Sequence, residues 1–398
     1  MAEFPIRKAK VERAALNHLE GRILAQAVLA PEDVPSFDRS MVDGFAIIAE
    51  DVRTASRETP VRLRVSGEVS MGKAAPARLE RGSAVIVPTG GALPKGTTGV
   101  VKIEDTETKD AEVLVFDGLD CADRINRTRS DVAAGDLLFE PGRVLDPPAL
   151  GLLAAAGVDA VDIYASPRIA VLITGDELVP PGVQLGPGQI RESNGVMICA
   201  ALCALGFTPQ GYERVADDRD VFARVLSKAL DECDGVMISG GSSVGTRDYT
   251  PGLVSEAGEP GVVVHGVRVR PGRPVLLAMV GDRPVIGLPG NPVSALVMLE
   301  ALAKPILLRM FNKVDSTLPL RARLTAPIDV EPGLEYRIPV QLNRSGDGLT
   351  ATPILGTSSQ LHILAFADAI VVVPEGTTLI PARTWVDAVP FTRTRTLR

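Results

Sequence analysis

Three apolar runs in the second half of the chain, Ile169-Ala170-Val171-Leu172-Ile173, Gly235-Val236-Met237-Ile238 and Val285-Ile286-Gly287-Leu288, each stop at a loop of glycine and polar residues. The loops are Thr174-Gly175-Asp176-Glu177, then Ser239-Gly240-Gly241-Ser242-Ser243-Val244-Gly245-Thr246-Arg247-Asp248, then Pro289-Gly290-Asn291-Pro292. Short β-branched runs alternating with helical patterns predict an α/β unit with a largely parallel sheet. Ligands of such sheets sit beyond the carboxyl ends of the strands, so all three loops are expected to face one crevice.

Each loop has a chemistry of its own. Gly240 and Gly241 let the backbone approach a ligand closely, and with Ser242 and Ser243 they form an anion nest suited to phosphate. Asn291 followed by Pro292 reads as an N-cap with proline at the first helical position, opening a helix over 293–302 and leaving N–H donors for an anion. Asp176, Glu177 and Asp248 only accept hydrogen bonds, so beside an anion they call for a divalent cation between. Taken singly, each loop is a tight turn or a helix cap; their order along one sheet favours a ligand site.

In that order, 173–178, 239–249, 270–274 and 288–294 resemble the motifs of the molybdopterin molybdenumtransferase family, which includes the C-terminal domain of gephyrin. Upstream, Pro35-Ser36-Phe37-Asp38-Arg39-Ser40-Met41-Val42-Asp43-Gly44-Phe45-Ala46 resembles the family's N-terminal signature, in which Asp43 matches a residue of the active-site cleft. Read locally, it is an Asp-Gly turn into a strand over 45–48. Pro88-Thr89-Gly90-Gly91-Ala92 resembles the family's Thr-Gly-Ala loop, with Thr89 at the implicated position. Arg129 and Ser130 stand where the family has Gly-Glu.

Composition limits the class of function. A chain of 398 residues, 45% hydrophobic, is long enough for two to four domains. A net charge of −7 argues against a nucleic-acid partner held on a cationic surface. No run of 18 apolar residues reads as a membrane span and the first ten residues lack the order of a secretory signal, so a soluble cytoplasmic protein is expected. Cys121, Cys199, Cys203 and Cys233 show no paired CxxC spacing, and His18, His265 and His362 are scattered, which argues against a structural zinc site. Cys199 and Cys203, four apart, are expected to share a helix face as small core residues.

Along the chain, Val11, Ala14, Ala15 and Leu19 predict an amphipathic helix over 7–19 that ends near Gly21. Strands over 61–65, 84–87 and 99–103 make a small β domain, and 147–156 reads as a helix stopped by Gly157. Ser193-Asn194 caps a helix over 196–205, and Asp217 or Asp218 caps one over 221–230. The family places a site aspartate here; spacing leaves both open, and Asp218 is taken as the candidate.

Arg270-Pro271-Gly272-Arg273-Pro274 stands where the family has Lys-Pro-Gly-Lys-Pro, whose cations bind the oxyanion. Arginine keeps the charge but presents a planar fork. A second family lysine aligns with Gly266; alternation along a continuous strand would put Gly266, Arg268 and Arg270 on one face, making Arg268 a substitute cation. Strands over 321–324, 336–342, 349–353, 369–373 and 385–390 predict a small C-terminal barrel or sandwich. By the resemblance, Ser294, Ser358 and Arg337 join Arg270 and Arg273 in holding molybdate.

The resemblance implies a multidomain α/β plus β chain: a discontinuous connecting and dimerisation domain (1–38 and 126–165), an inserted β domain (39–125), a central three-layer α/β molybdopterin-binding domain (166–313) and a C-terminal β barrel (314–398). It implies a Mg²⁺-dependent transferase that inserts molybdate into adenylylated molybdopterin and releases AMP. Asp43, Glu177 and Asp248 are the expected catalytic residues, with Asp176, Glu177 and Asp248 on the metal. Substrate would rest on Thr89, Thr174, Gly175, Asp218, 239–243 and 289–292. The resemblance also implies a homodimer, with Asp43 and Thr89 of one subunit completing the cleft of the other. A binding or scaffolding homologue without turnover, and a related pterin adenylyltransferase, are the alternatives.

Overall fold

The computed structural model describes residues 4–75, 78–117, 124–240, 249–346 and 348–392. They form two units, 13–162 and 1–12 together with 163–398.

The second unit is built on a six-stranded sheet in the order Thr208–Val215, Arg168–Thr174, Gly235–Ser239, Arg283–Leu288, Leu276–Val280, Pro260–His265. The first four strands run parallel, and Leu276–Val280 and Pro260–His265 close the sheet antiparallel. Strands buried on both faces read as continuous apolar runs, which is why 169–173 and 235–238 show no alternation. On one face Ala170, Leu172, Val236 and Ile238 pack with Phe222 and Leu226 of the helix Arg219–Glu232 and with Leu253 and Val254 of Thr250–Glu256. The alternate residues Ile169, Val171 and Ile173 are equally buried toward the opposite face. The helices Asn194–Ala204 and Pro292–Met298 pack against each other and on the strands Arg168–Thr174 and Arg283–Leu288 respectively. A three-layer α/β domain results, with the three loops at the carboxyl ends of parallel strands.

The strands Leu320–Leu324, Glu335–Ser345, Gly348–Pro353, Ala369–Val373 and Trp385–Pro390 close into a five-stranded barrel, because Glu335–Ser345 pairs with both Gly348–Pro353 and Ala369–Val373. Two features fasten it to the α/β domain. The two-residue strand Val269–Arg270 adds parallel to the barrel, Val269 opposite Glu335 and Arg270 opposite Tyr336. Lys304, 5% exposed, reaches Thr317 Oγ1 at 2.8 Å, Asp315 at 3.2 Å and Glu300 at 3.5 Å, and Glu300 also accepts from Thr392. A buried cation with that many acceptors is compensated, so the linker and the last strand's end are fixed to one helix.

The unit 13–162 carries its own six-stranded sheet, ordered Gly99–Lys102, Gly44–Ile47, Ser83–Val87, Val61–Glu68, Glu112–Val115, Thr106–Lys109. The helix Pro147–Ala155 is capped by Asp146, which accepts from Ala149 N, and Gly157 follows with a positive φ. Among the described residues no helix is long and apolar enough to cross a membrane.

Several local expectations are corrected. Residues 7–19 form no helix: Val11–Ala15 is a strand paired with Ala160–Tyr164, Ala165 N donates to Lys10 O and Leu16 N to Asp159 O. Ladder bonds override a helical spacing whose first apolar residue, Val11, is 51% exposed. The helix expected over 293–302 is α-helical only over Pro292–Met298 and continues as a π-helical turn, Leu299–Ala303. Cys203 is exposed and Cys199 half-buried, because Ile198 and Leu202 occupy the core stripe of Asn194–Ala204. Burial first, then Cys203 and Glu192, pushes the Cys199 thiol up to about 11, so it stays protonated at neutral pH. Cys121 lies outside the described residues.

Candidate functional site

At the carboxyl ends of the parallel strands the backbones crowd together. Thr174 is buried, and Gly240 follows Ser239 with φ +91°; a Cβ on Gly240 would stand 2.3 Å from the Thr174 carbonyl oxygen. Only glycine tolerates both that φ and that approach. A Cβ on Gly290 would lie 3.7 Å from Gly240 Cα, so the second and third loops start side by side. Glu177 folds back over the first loop, its carboxylate 2.8 Å from where a Gly175 Cβ would stand. Gly241, Ser242, Ser243 and Asp248 lie outside the described residues.

The Ser239 hydroxyl is turned inward. At 1% exposure it accepts from Asn194 Nδ2 at 2.9 Å and faces the Pro289 carbonyl at 3.5 Å, so it ties loops together instead of meeting a phosphate in the crevice. Asn194 itself makes no cap. The neighbouring Glu192 accepts from Gly195 N at 2.7 Å in that role.

The pair Asp217 and Asp218 is separated by the fold. Asp218 caps Arg219–Glu232, one oxygen accepting from Asp220 N and Val221 N, both at 2.9 Å. Asp217 is drawn into the acidic loop instead: its N–H donates to Asp176 Oδ1 at 3.2 Å and its carboxylate accepts from the Tyr249 hydroxyl at 2.8 Å. Burial, then the hydrogen bond and charge of Asp217, then Asp218 and Asp176, push the Tyr249 phenol up, so it remains a donor. Asp176, Glu177 and Asp217 have no cationic partner among the described residues. No three metal-ligating side chains converge there either. Asp176, Glu177 and Asp217 offer only carboxylate oxygens, the type of donor that a hard cation such as Mg²⁺ accepts.

Next to this junction opens a cavity of about 770 Å³ between the α/β domain and the barrel. Arg270, Arg273, Ser294, Arg337 and Ser358 all line it, together with Pro289 and Asn291 of the third loop. Asn291 occupies the N-cap position, but its side chain makes no cap; Nδ2 donates to Ser358 Oγ at 3.0 Å, and Val293 N donates to the Ser358 carbonyl at 3.0 Å. These bonds join the α/β domain to the barrel at the cavity wall. Arg270 pairs with Glu331 at 3.3 Å and lies 5.8 Å over the Tyr336 ring. Arg337 pairs with Glu335 at 2.9 Å. Arg273 has no ion-pair partner among the described residues.

Arg268 is not part of this wall. The strand Pro260–His265 ends before Gly266, which sits at φ +83° with its N–H on the Val275 carbonyl. The turn breaks the expected alternation, and Arg268 donates to Gly333 O at 2.9 Å and pairs with Glu375 at 2.7 Å. The same φ explains why the missing lysine cannot simply be restored at 266, since a side chain there is strained.

In the unit 13–162, Asp43 Oδ1 accepts from Thr89 N at 2.7 Å and from Thr89 Oγ1 at 3.1 Å. The strands Gly44–Ile47 and Ser83–Val87 pair antiparallel with Gly44 opposite Val87, which brings the turn before one to the turn after the other. Arg129 keeps a glycine-like backbone, φ +67°, and its side chain bonds Asp33 at 3.1 Å.

Three participants carried no assigned role in the sequence reading. Tyr249 lay inside a recognised motif, Asn194 read only as a cap, and Glu331 gave no signal because its contact with Arg270 spans 61 positions.

Known proteins match along most of this chain. The MoeA N-terminal region (domain I and II) matches residues 2–157, the probable molybdopterin binding domain 170–309, and the MoeA C-terminal region (domain IV) 321–391. Molybdopterin molybdenumtransferase 2 of Mycobacterium tuberculosis is 32% identical over 375 residues, covering 93% of this chain and 92% of its own. The Bacillus subtilis molybdopterin molybdenumtransferase is 32% identical over 377 residues, covering 93% and 87%. The crystal structure of a molybdopterin biosynthesis MoeA protein from Pyrococcus horikoshii superposes with a TM-score of 0.82 at 34% identity, covering 98% of this chain and 96% of that one. With the same domain order, the same closed barrel and relatives aligned nearly end to end, the chain belongs to the MoeA family of molybdopterin molybdenumtransferases.

Proposed function

We propose that this protein inserts molybdate into adenylylated molybdopterin and releases AMP, acting in molybdenum cofactor biosynthesis as a cytoplasmic, Mg²⁺-dependent homodimer. The observation that carries the reading is the cavity: five residues assigned to the oxyanion from separated stretches of chain all line it. That cavity shares Pro289 and Asn291 with the glycine-rich junction.

Arg270, Arg273 and Arg337 would hold the dianion through charge-assisted hydrogen bonds, with Ser294 and Ser358 supplying neutral donors. The pterin phosphate would rest on the loop that begins at Ser239 and Gly240, where backbone N–H groups offer a nest. Mg²⁺, when held by one or two of the carboxylates of Asp176, Glu177 and Asp217 together with substrate phosphate, would neutralise the bridging phosphates. Of the two neighbouring aspartates we take Asp217, not Asp218, as the site residue, since Asp218 Oδ1 already caps a helix. Fixing dithiolene and oxyanion side by side is the chain's own main contribution to rate.

Incubation of the purified protein with adenylylated molybdopterin, Mg²⁺ and molybdate tests the proposal: AMP release with molybdenum uptake supports it, and neither product sinks it. Tight binding of both ligands without turnover would establish the second reading, a scaffolding homologue, which is favoured by the engagement of Arg268 with Glu375.

Two variants separate the aspartates. Asp217→Ala is expected to lose nearly all turnover with an unchanged melting temperature. Asp218→Ala should cost about 1 kcal/mol of stability through the lost cap and keep most of its activity. The reverse pattern in a paired melting and turnover assay would return the site role to Asp218. Glu331→Gln frees Arg270 from an exposed ion pair worth roughly 0–1 kcal/mol, so molybdate should bind up to about fivefold tighter by calorimetry. Weaker binding would mean that Glu331 orients Arg270 instead of competing for it.

A further inference from the structure

One buried side chain joins the two loops that the proposed reaction needs. Asn194 opens the helix Asn194–Ala204 and is 7% exposed. Its Nδ2 donates to Ser239 Oγ at 2.9 Å and to the Gly290 carbonyl at 2.8 Å. Chemistry fixes which end of the amide is which, because the Gly290 carbonyl only accepts and must face the NH₂ group. Oδ1 is then the other end, buried and without a partner among the described residues. An unsatisfied buried acceptor is a cost, so the favourable contribution of this amide lies in its two donor bonds. Both end on functional loops.

Ser239 starts the glycine-rich loop, and Gly290 leads into Asn291, which lines the oxyanion cavity. Both hydrogens of one planar NH₂ are used, one on each loop, so their separation is set by a rigid group. Gly290 and Gly240 lie side by side at this point, a Cβ on Gly290 standing 3.7 Å from Gly240 Cα. We propose that Asn194 is a positioning residue for insertion: it fixes the distance between the pterin-phosphate loop at Ser239 and the oxyanion loop at Gly290, so that dithiolene and molybdate meet at a set spacing. This rests on the insertase reading and deepens it.

A residue that sets spacing between two subsites acts on turnover more than on the occupancy of either. Full-length Asn194→Ala, assayed with adenylylated molybdopterin, molybdate and Mg²⁺, is expected to lose about 10- to 100-fold in kcat. Its molybdate Kd, read by calorimetry without the pterin, should shift by less than about threefold. Asn194→Asp keeps the volume and lets the Ser239 hydroxyl donate, but sets a carboxylate against the Gly290 carbonyl; its kcat should fall at least as far. Adding Ser239→Ala to Asn194→Ala should cost little beyond the larger single loss, since the two share one bond.

A kcat within about twofold of the parent in folded Asn194→Ala or Asn194→Asp overturns the proposal. So does a loss matched entirely by weaker molybdate binding. If Asn194→Ala fails to fold, Asn194→Asp carries the same two outcomes. The parent chain is the control: absence of AMP release there sinks the insertase reading itself, whereas an active parent with unaffected variants sinks only the role of Asn194.

Discussion

Gly240→Ala should destabilise the α/β domain by about 2–5 kcal/mol and remove insertion activity. The estimate combines a left-handed backbone, about 1–2 kcal/mol for a residue with a Cβ, with an overpacking cost of about 1–3 kcal/mol. Neither cost relaxes easily, since φ is +91° and the atom met at 2.3 Å is the Thr174 carbonyl oxygen, part of the sheet and not a flexible side-chain tip. The chain has to move Gly240 away from the strand end, and with it the start of the loop on which the phosphate would rest. Denaturant titration and turnover should fall together. A fully active Gly240→Ala of parental stability would show that the loop does not need this packing.

Asp43→Ala and Glu177→Ala are expected to do the opposite, leaving the melting temperature nearly unchanged while insertion drops by about a thousandfold or more, as for the loss of a directly acting group. Glu177 is exposed, so its removal leaves no buried group unsatisfied. The Asp43 side chain holds Thr89 through two bonds on an exposed turn. If the residues act from different subunits of a homodimer, mixing the two inactive variants should recover about a quarter of parental activity, because half of the dimers are mixed and each contains one intact site. No recovery after verified exchange, in variants that are each inactive, would place both residues in one subunit's site. Normal activity in either single variant would remove that residue from the cleft.

Much of this architecture was legible in the sequence. The runs at 169–173, 235–238 and 285–288 were continuously apolar, as fully buried parallel strands are, and the five C-terminal strands were visible as short strand-like runs. Contacts set by tertiary pairing were not. Val11–Ala15 carries a helical spacing yet takes part in a ladder, because its partner strand lies some 150 positions away and no local rule sees it. The fate of Asp217 and Asp218 was undecidable from spacing because either can cap a helix; the fold chose Asp218, whose carboxylate faces two N–H groups. Arg268 misled for a related reason. Alternation presumes a continuous strand, and Gly266 interrupts it with a positive φ. The motifs therefore located the loops, while the division of labour within each loop depended on bonds between residues remote in sequence.

The pairing of Val269–Arg270 with the barrel has a consequence for how this anion pocket can diversify. Arg270 is held in register with Tyr336, so its position is dictated by a strand that contributes nothing to the three loops. If Arg270 holds the oxyanion as proposed, substitutions along that strand would shift the arginine fork, and with it the size of ion preferred, without touching the three loops. On that reading, selectivity between chemically similar oxyanions would be open to adjustment from the barrel side.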